Sequence, residues 1–217
     1  MRPIALLGGT FDPVHLGHLR AAWEASEALD AEVRLMPANV PPHRPQPVAS
    51  AEQRVALLRA ALAGQSRLRL DTRELRRSGP SYSVDTLRDL RAEVGPLQSL
   101  ALLVGADAFA GLPSWHEWRA LFDLAHIVVM TRPGSAQRWP AELEAAIAPR
   151  RTEANALHAA PAGAVHALAI TALDISATQV RAQLAAGREP RYLLAEALLA
   201  DTALLAVYRG KGLETRG

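Results

Sequence analysis

Apolar residues fall along the chain in two alternating rhythms. Short continuous runs, IALLG (4–8), EVRLMPA (32–38), SLALLVGAD (99–107) and AHIVVMTRPG (125–134), have the length and bounding turn residues of buried strands. Between them run longer stretches with helical spacing. In residues 16–30, Leu16, Leu19, Ala22, Trp23, Ser26 and Leu29 lie near one helical face. SAEQRVALLRAALAG (50–64) opens on Ser50, a good N-cap, and stops at Gly64. SYSVDTLRDLRAEVG (81–95) and SATQVRAQLAAG (176–187) read the same way, each from a serine to a glycine. RLRLDT (67–72) and AVHALAI (164–170) supply two more strands. A short helix is expected near 140–148 within the looser stretch 135–163, and PRYLLAEALLADTALL (190–205) reads as a closing helix.

Strands that alternate with helices predict an α/β fold: a doubly wound, mostly parallel sheet with helices on both faces. One domain over 1–217 accommodates the pattern, with a small helical part from about residue 174. In such folds ligands bind beyond the carboxyl ends of the strands. The informative segments are therefore 8–18, 37–44, 105–116, 131–134 and 171–181.

Composition narrows the partner. The 217 residues are 49% hydrophobic and 21% charged, ordinary for a globular domain, and none is cysteine, which removes disulfides and thiolate metal sites. A net charge of +2 suits an anionic small molecule, and the arginines are interspersed with acids, so no nucleic-acid stripe forms. Every long apolar stretch is interrupted, and the N-terminal run is too short for a signal sequence. The expectation is a cytoplasmic protein without a membrane partner.

The stretch GGTFDPVHLGH (8–18) sits at the first strand exit. It lacks the third glycine of a dinucleotide fingerprint and the Gly-Lys-Ser/Thr of a Walker loop. Gly8 and Gly9 allow close backbone approach, and a helix beginning after Pro13 would aim N–H groups and its positive end at the same place. His15 and His18 would then occupy the first turn. Three readings are open at this point: a metal site, a plain turn, or a place that handles phosphate. A metal needs a third ligand, which no spacing in the chain supplies.

Four further segments carry chemistry. ISATQVR (175–181) places Ser176 at an N-cap, Thr178 in the first turn and Arg181 one turn on, a phosphate-binding pattern or an ordinary capped helix. PANVPPHRP (37–45) is a stiff loop carrying His43 and Arg44, and GPSYSVDTL (79–87) precedes a helix. VGADAFAGLPSWHEW (104–118) combines a strand exit, an acid and two tryptophans three apart, of which one can be core and the other line a pocket.

GGTFDPVHLGH resembles the nucleotide-binding motif of the H/T-x-G-H nucleotidyltransferase superfamily, with His15-Leu16-Gly17-His18 as its core, and ISATQVR resembles the I-S-x-T-x-x-R element of the same superfamily. With the other three segments, in order from residue 4 to about 134 and from about 170 to 208, the chain is similar to bacterial-type nicotinate-mononucleotide adenylyltransferases. The resemblance implies a Rossmann-like fold and adenylyl transfer from ATP to nicotinate mononucleotide, with Mg²⁺ accompanying the ATP, in a monomer or homo-oligomer. It implies that Gly8, Gly9, Thr10, Phe11, Gly105, Asp107, Arg132, Ile175, Ser176 and Thr178 hold ATP, and that His15, His18 and Arg181 act on its phosphates. It implies that Trp115 stacks on the pyridine ring and that backbone N–H groups at Ser83 and His116 take the nicotinate carboxylate. His43 and Arg44 would add charge on that side. The family often has Thr and Tyr at the positions of Ser83 and His116. The alternatives are nicotinamide mononucleotide or phosphopantetheine as acceptor, or a non-catalytic nucleotide-binding module.

Overall fold

The computed structural model describes residues 2–39, 46–132 and 138–210. Six strands, β1 (Ile4–Gly9), β2 (Glu32–Pro37), β3 (Leu68–Leu70), β4 (Leu100–Gly105), β5 (His126–Thr131) and β6 (Val165–Ala169), form one sheet in the order β3-β2-β1-β4-β5-β6. Every pairing is parallel. The chain winds outward from β1 through β2 to β3, then returns to the other side of β1 and winds outward again through β4, β5 and β6. The strand order reverses between β1 and β4.

The continuous apolar runs follow from burial on both faces. Ala5 and Leu7 of β1, Ala101 and Leu103 of β4, and Val128 and Met130 of β5 enter one core. Ile4 and Leu6, Leu100, Leu102 and Val104, and Ile127 and Val129 enter the other. Helices α1 (Leu16–Ala28), α2 (Ala51–Ala61), α7 (Ala177–Ala185) and α8 (Glu196–Ala200) cover the first core through residues such as Ala22, Leu58, Val180 and Leu198. Helices α3 (Ser83–Val94), α4 (Ala106–Ala110), α5 (Leu121–Leu124) and α6 (Ala141–Ile147) cover the second through Leu87, Phe109, Phe122 and Leu143.

Two readings of the sequence need correction. The segment 190–205 is not one helix: only α8 is helical, flanked by turns and followed by a 3-10 turn at Ala206–Tyr208. Tyr192 takes a left-handed φ of 62°, and Asp201 Oδ1 accepts from Ala203 N and Leu204 N at 3.1 and 3.3 Å, so local polar bonds replace helical ones. Helix α3 is capped by Tyr82 rather than Ser81, and Tyr82 gives no side-chain cap. Ser81 is instead engaged by Asn39, whose N–H donates to its Oγ at 3.0 Å.

The amino ends of the later strands are locked by two side chains. The Arg91 guanidinium donates to the carbonyls of Gly95, Gln98, Leu124 and Pro161. His126, fully buried, bonds Ala160 O through Nε2 at 2.9 Å and accepts from Ala164 N at Nδ1, 3.1 Å away. That pair of bonds selects the neutral tautomer with hydrogen on Nε2, and burial, first, holds the imidazole below its usual pKa. Replacing Arg91 with Met leaves these carbonyls without their charged donor. The expected loss is about 2–4 kcal/mol of unfolding free energy, read from the urea midpoint at unchanged slope.

Candidate functional site

The carboxyl ends of β1 and β4 meet at the reversal of strand order, and each ends in bare backbone. A Cβ on Gly8 or on Gly105 would touch nothing within 4 Å. The space above both strand ends is open to a ligand that needs close contact with main chain. Gly9 differs: its Cβ would meet the Phe11 ring at 2.9 Å. Phe11 is buried and takes φ 51°, a left-handed conformation that costs a non-glycine residue energy and folds the ring back beneath Gly9.

His15 is the N-cap of α1, and His18 is its third residue, so His15 stands just before the first turn instead of within it. The two imidazoles stack with centroids 3.7 Å apart, and the Phe11 ring meets His18 edge-on at 5.0 Å. The His15 N–H donates to His18 Nδ1 at 3.3 Å. In the neutral ring this bond leaves the His18 proton on Nε2. His15 is buried, its Nδ1 has no hydrogen-bond partner among the described residues, and desolvation lowers its pKa from 6.5 to about 4. His15 is therefore a neutral imidazole at neutral pH. Gly17 is required by this packing, since a Cβ there would lie 3.0 Å from His15 Nδ1 and 3.7 Å from Ile175 Cβ.

Ile175 belongs to the second phosphate motif, which the fold brings against the first. Ser176 caps α7, its Oγ accepting from Gln179 N at 3.1 Å, and both Ser176 and Thr178 are exposed. The Arg181 guanidinium donates to the carbonyl of Asp12 at 2.6 Å and to Thr178 Oγ1 at 3.3 Å. Asp12 is a junction that the sequence reading missed. Its carboxylate accepts from Val48 N, Ala49 N and Tyr208 Oη at 2.8, 3.0 and 2.8 Å. Arg54, almost wholly buried on α2, donates to the Thr10 carbonyl at 2.8 Å. One signal for Arg54 was available: it occupies the same helical face as Leu57, Leu58 and Ala61. Nothing local marks Asp12 or Tyr208.

On the other side of the crevice, the segments around 82 and 116 come together. Ser83 opens α3, and the rings of Tyr82 and His116 lie 4.6 Å apart. His116 Nε2 is 3.2 Å from Glu117 Oε1, and Glu117 also pairs with Arg88. Trp118 is the core tryptophan, while Trp115 is half-buried at the edge of the second core. Asn39 ties the end of β2 to this region through Ser81 and through its Nδ2–H bond to Arg77 O at 2.8 Å. Behind α3, Thr86 Oγ1 donates to the buried Glu74 at 2.7 Å, and desolvation raises the Glu74 carboxyl above its usual range. Asp107 is exposed in the first turn of α4, and Arg132 is exposed one residue past β5. His43 and Arg44 lie outside the described residues.

A groove of about 600 Å³ lined by Phe109, Trp139, Arg151 and His166 contains none of the residues expected to hold nucleotide. The strand-exit region is the better candidate, because two histidines follow the end of β1 and a partly exposed arginine bonds the same segment through the Asp12 carbonyl. Among the described residues no three His, Asp or Glu side chains group as metal ligands.

Two outcomes test this geometry. In Gly17→Ala the new Cβ presses on the His15 ring, which must give by a few tenths of an ångström, so the variant is expected to lack the gain of about 1 kcal/mol that alanine ordinarily brings to a helix, read by urea unfolding. Stability is also expected to fall as pH drops from 6.5 towards 4, because the unfolded chain protonates His15 and the folded chain does not. The contribution is about 2.5 kcal/mol at pH 4.5, and a His15→Asn variant should show a correspondingly weaker acid slope.

A cytidylyltransferase-like family model matches residues 6–183. The chain is 51% identical over 200 residues to the "Probable nicotinate-nucleotide adenylyltransferase" of Halorhodospira halophila, an alignment covering 91% of each chain. It is 48% identical over 212 residues to the protein of the same name from Dechloromonas aromatica, covering 95% of this chain and 98% of that one. Its fold matches Plasmodium falciparum nicotinic acid mononucleotide adenylyltransferase, solved in complex with NaAD, with a TM-score of 0.71 at 14% identity over 96% and 98% of the two chains. The expected Rossmann-like fold is thus found, and the chain belongs to the nicotinate-nucleotide adenylyltransferase family of cytidylyltransferase-like proteins.

Proposed function

We propose that the protein transfers the adenylyl group of ATP to nicotinate mononucleotide, forming nicotinate adenine dinucleotide and pyrophosphate in NAD biosynthesis. The observation that carries this reading is that bare glycine backbone lies at the carboxyl ends of both β1 and β4, at the reversal of strand order, while the segment after β1 carries the stacked His15–His18 pair and bonds Arg181 through the Asp12 carbonyl. An oxygen of the mononucleotide 5′-phosphate attacks the α-phosphorus. The bond to the bridging β-phosphate oxygen breaks, and pyrophosphate leaves with its electron pair. The nucleophile is already an anion at neutral pH, so the protein need only align the two phosphates and offset the charge developing between them.

The roles are those that the resemblance of the motifs implies. His18 donates from Nε2 to phosphate oxygen in the transition state, and neutral His15 supports it from the stack. Arg181, Ser176 and Thr178 face the leaving pyrophosphate from α7, with Arg132 a further phosphate contact. Gly8, Gly9, Thr10, Phe11 and Ile175 shape the nucleotide pocket, and Gly105 and Asp107 hold the adenosine. Mg²⁺ accompanying ATP would offset phosphate charge as part of the substrate. Trp115 offers its face to the pyridine ring, and the N–H groups at Ser83 and His116 meet the nicotinate carboxylate, with His43 and Arg44 adding charge. A carboxylate lets two N–H groups donate to acceptor oxygens, whereas an amide presents its own N–H₂ to one of them and loses affinity. Among the described residues no helix is long and apolar enough to cross a membrane. We extend the proposal to a cytoplasmic location.

Pyrophosphate release with MgATP, measured separately with nicotinate mononucleotide, nicotinamide mononucleotide and phosphopantetheine, tests the reading. The acid should react fastest. Release only with phosphopantetheine, or with none, overturns it. His18→Ala should lower kcat by about 10²–10³ while changing ATP affinity little, as expected for a donor that acts in the transition state. Trp115→Ala should raise KM for the mononucleotide about tenfold and leave that for ATP nearly unchanged, in initial-rate measurements against each substrate.

A further inference from the structure

The two N–H groups assigned to the nicotinate carboxylate come from separate elements. Ser83 is the first residue of α3, and His116 lies in the turn that follows Trp115. Among the described residues no backbone carbonyl accepts from either N–H. The rings of Tyr82 and His116, 4.6 Å apart, bring the two segments together. Farther along the same helix, Arg88 reaches across to Glu117. Its Nη1 donates to Oε1 at 3.2 Å and its Nη2 donates to Oε2, so guanidinium and carboxylate form a bidentate pair. Glu117 Oε1 also lies 3.2 Å from His116 Nε2. Glu117 holds φ 46° and ψ 40°, a left-handed conformation that costs a glutamate free energy and a glycine almost none. Both side chains of the pair are nearly half exposed, so the pair itself adds little stability to offset that cost. A strained residue held in place by a weakly stabilising pair at the edge of a pocket points to a task other than folding.

We infer that the Arg88–Glu117 pair is a clamp that sets the spacing between the Ser83 and His116 N–H groups, and with it the preference of this pocket for a carboxylate over an amide. The inference rests on the proposed role of these two N–H groups. Arg88 and Ser83 share one helix, whose hydrogen-bonded turns keep the interval between them fixed. Glu117 is the neighbour of His116 in the chain, so a shift at Glu117 moves the His116 peptide with it. A planar bidentate pair restrains direction as well as distance. A carboxylate has two acceptor oxygens, and both N–H groups must stand at hydrogen-bond distance from them at once. An amide offers one acceptor oxygen and gains less from the same spacing. Neither side chain of the clamp needs to touch substrate, and both are positioning residues. Charge alone makes the opposite demand on Glu117. An exposed carboxylate beside a pocket for an anion repels that anion, so its removal would strengthen binding. The clamp reverses that sign.

The test is Glu117→Gly, which suits the left-handed backbone and removes the carboxylate. Calorimetric binding of nicotinate mononucleotide should weaken about tenfold, while binding of nicotinamide mononucleotide and of MgATP should change by less than about twofold. The urea midpoint should stay at or above that of the parent, because only an exposed pair and a left-handed glutamate are lost. Arg88→Ala should show the same split between the ligands. The double variant should bind the acid within about twofold of either single variant, since each alone removes the whole clamp. Unchanged or tighter binding of the acid by Glu117→Gly overturns the inference, and so does equal weakening toward all three ligands. Additive losses in the double variant also overturn it, since they describe two independent effects. A parent that does not distinguish the two mononucleotides overturns the carboxylate pocket itself and the clamp with it. A parent that prefers the acid, with variants that prefer it equally, overturns the clamp alone and leaves the proposed reaction standing.

Discussion

The site depends on the pairing of β1 with strands on both sides. β1 hydrogen-bonds to β2 and to β4, and the chain must wind away from it in opposite directions. The connections leaving β1 and β4 therefore diverge to opposite faces of the sheet and open a crevice between them. The residues at those two strand ends are glycines whose missing side chains leave the crevice clear. The hydrogen-bond ladder of a parallel sheet thus fixes where a phosphate chain can approach main chain. Side chains add charge and alignment to a place the backbone has already made.

The charge is arranged to stay available. His15 is neutral through burial, Asp12 is satisfied by three donors, and Arg54 bonds a carbonyl. The Arg181 guanidinium lies 3.6 Å from the Asp12 carboxylate while its short bond goes to the Asp12 carbonyl. In the proposed reaction, preorganisation of this kind would spare the reorganisation that water requires when negative charge moves from one phosphate to another. The stacked histidines serve the same end: Gly17 admits the His15 ring, that ring stacks on His18, and the His15 main-chain N–H sets the His18 tautomer.

The fold was legible in the sequence because both faces of the sheet are buried, so β1, β4 and β5 read as unbroken apolar runs. Ser50 and Ser176 were legible as caps because each does accept the N–H three residues on. The segment 190–205 misled, since its helical spacing of leucines is matched by a chain that turns at Tyr192 and Asp201 and buries Leu194, Leu198 and Leu205 by separate routes. The histidines, the strand-end glycines and the late Ser-Thr-Arg set stood out by motif and resemblance, and the structure sets Gly17 against His15 and Ile175 and bonds Arg181 to the Asp12 carbonyl. Asp12 and Tyr208 were not legible: a single acid in a loop and a single tyrosine near residue 208 carry no periodic signal, and their pairing exists only in three dimensions.

The bond between Tyr208 and Asp12 also orders events during synthesis. Residues 2–132 contain β1 through β5 and the H-x-G-H loop, and strands can begin to pair as they leave the ribosome. Asp12, however, waits for a donor that emerges 196 residues later. A nascent chain can thus hold most of its sheet while its nucleotide loop is still unfinished. The Asp12 carboxylate thus gains its third donor only after residue 208 has been made, and the loop that follows β1 is among the last parts of the fold to be completed.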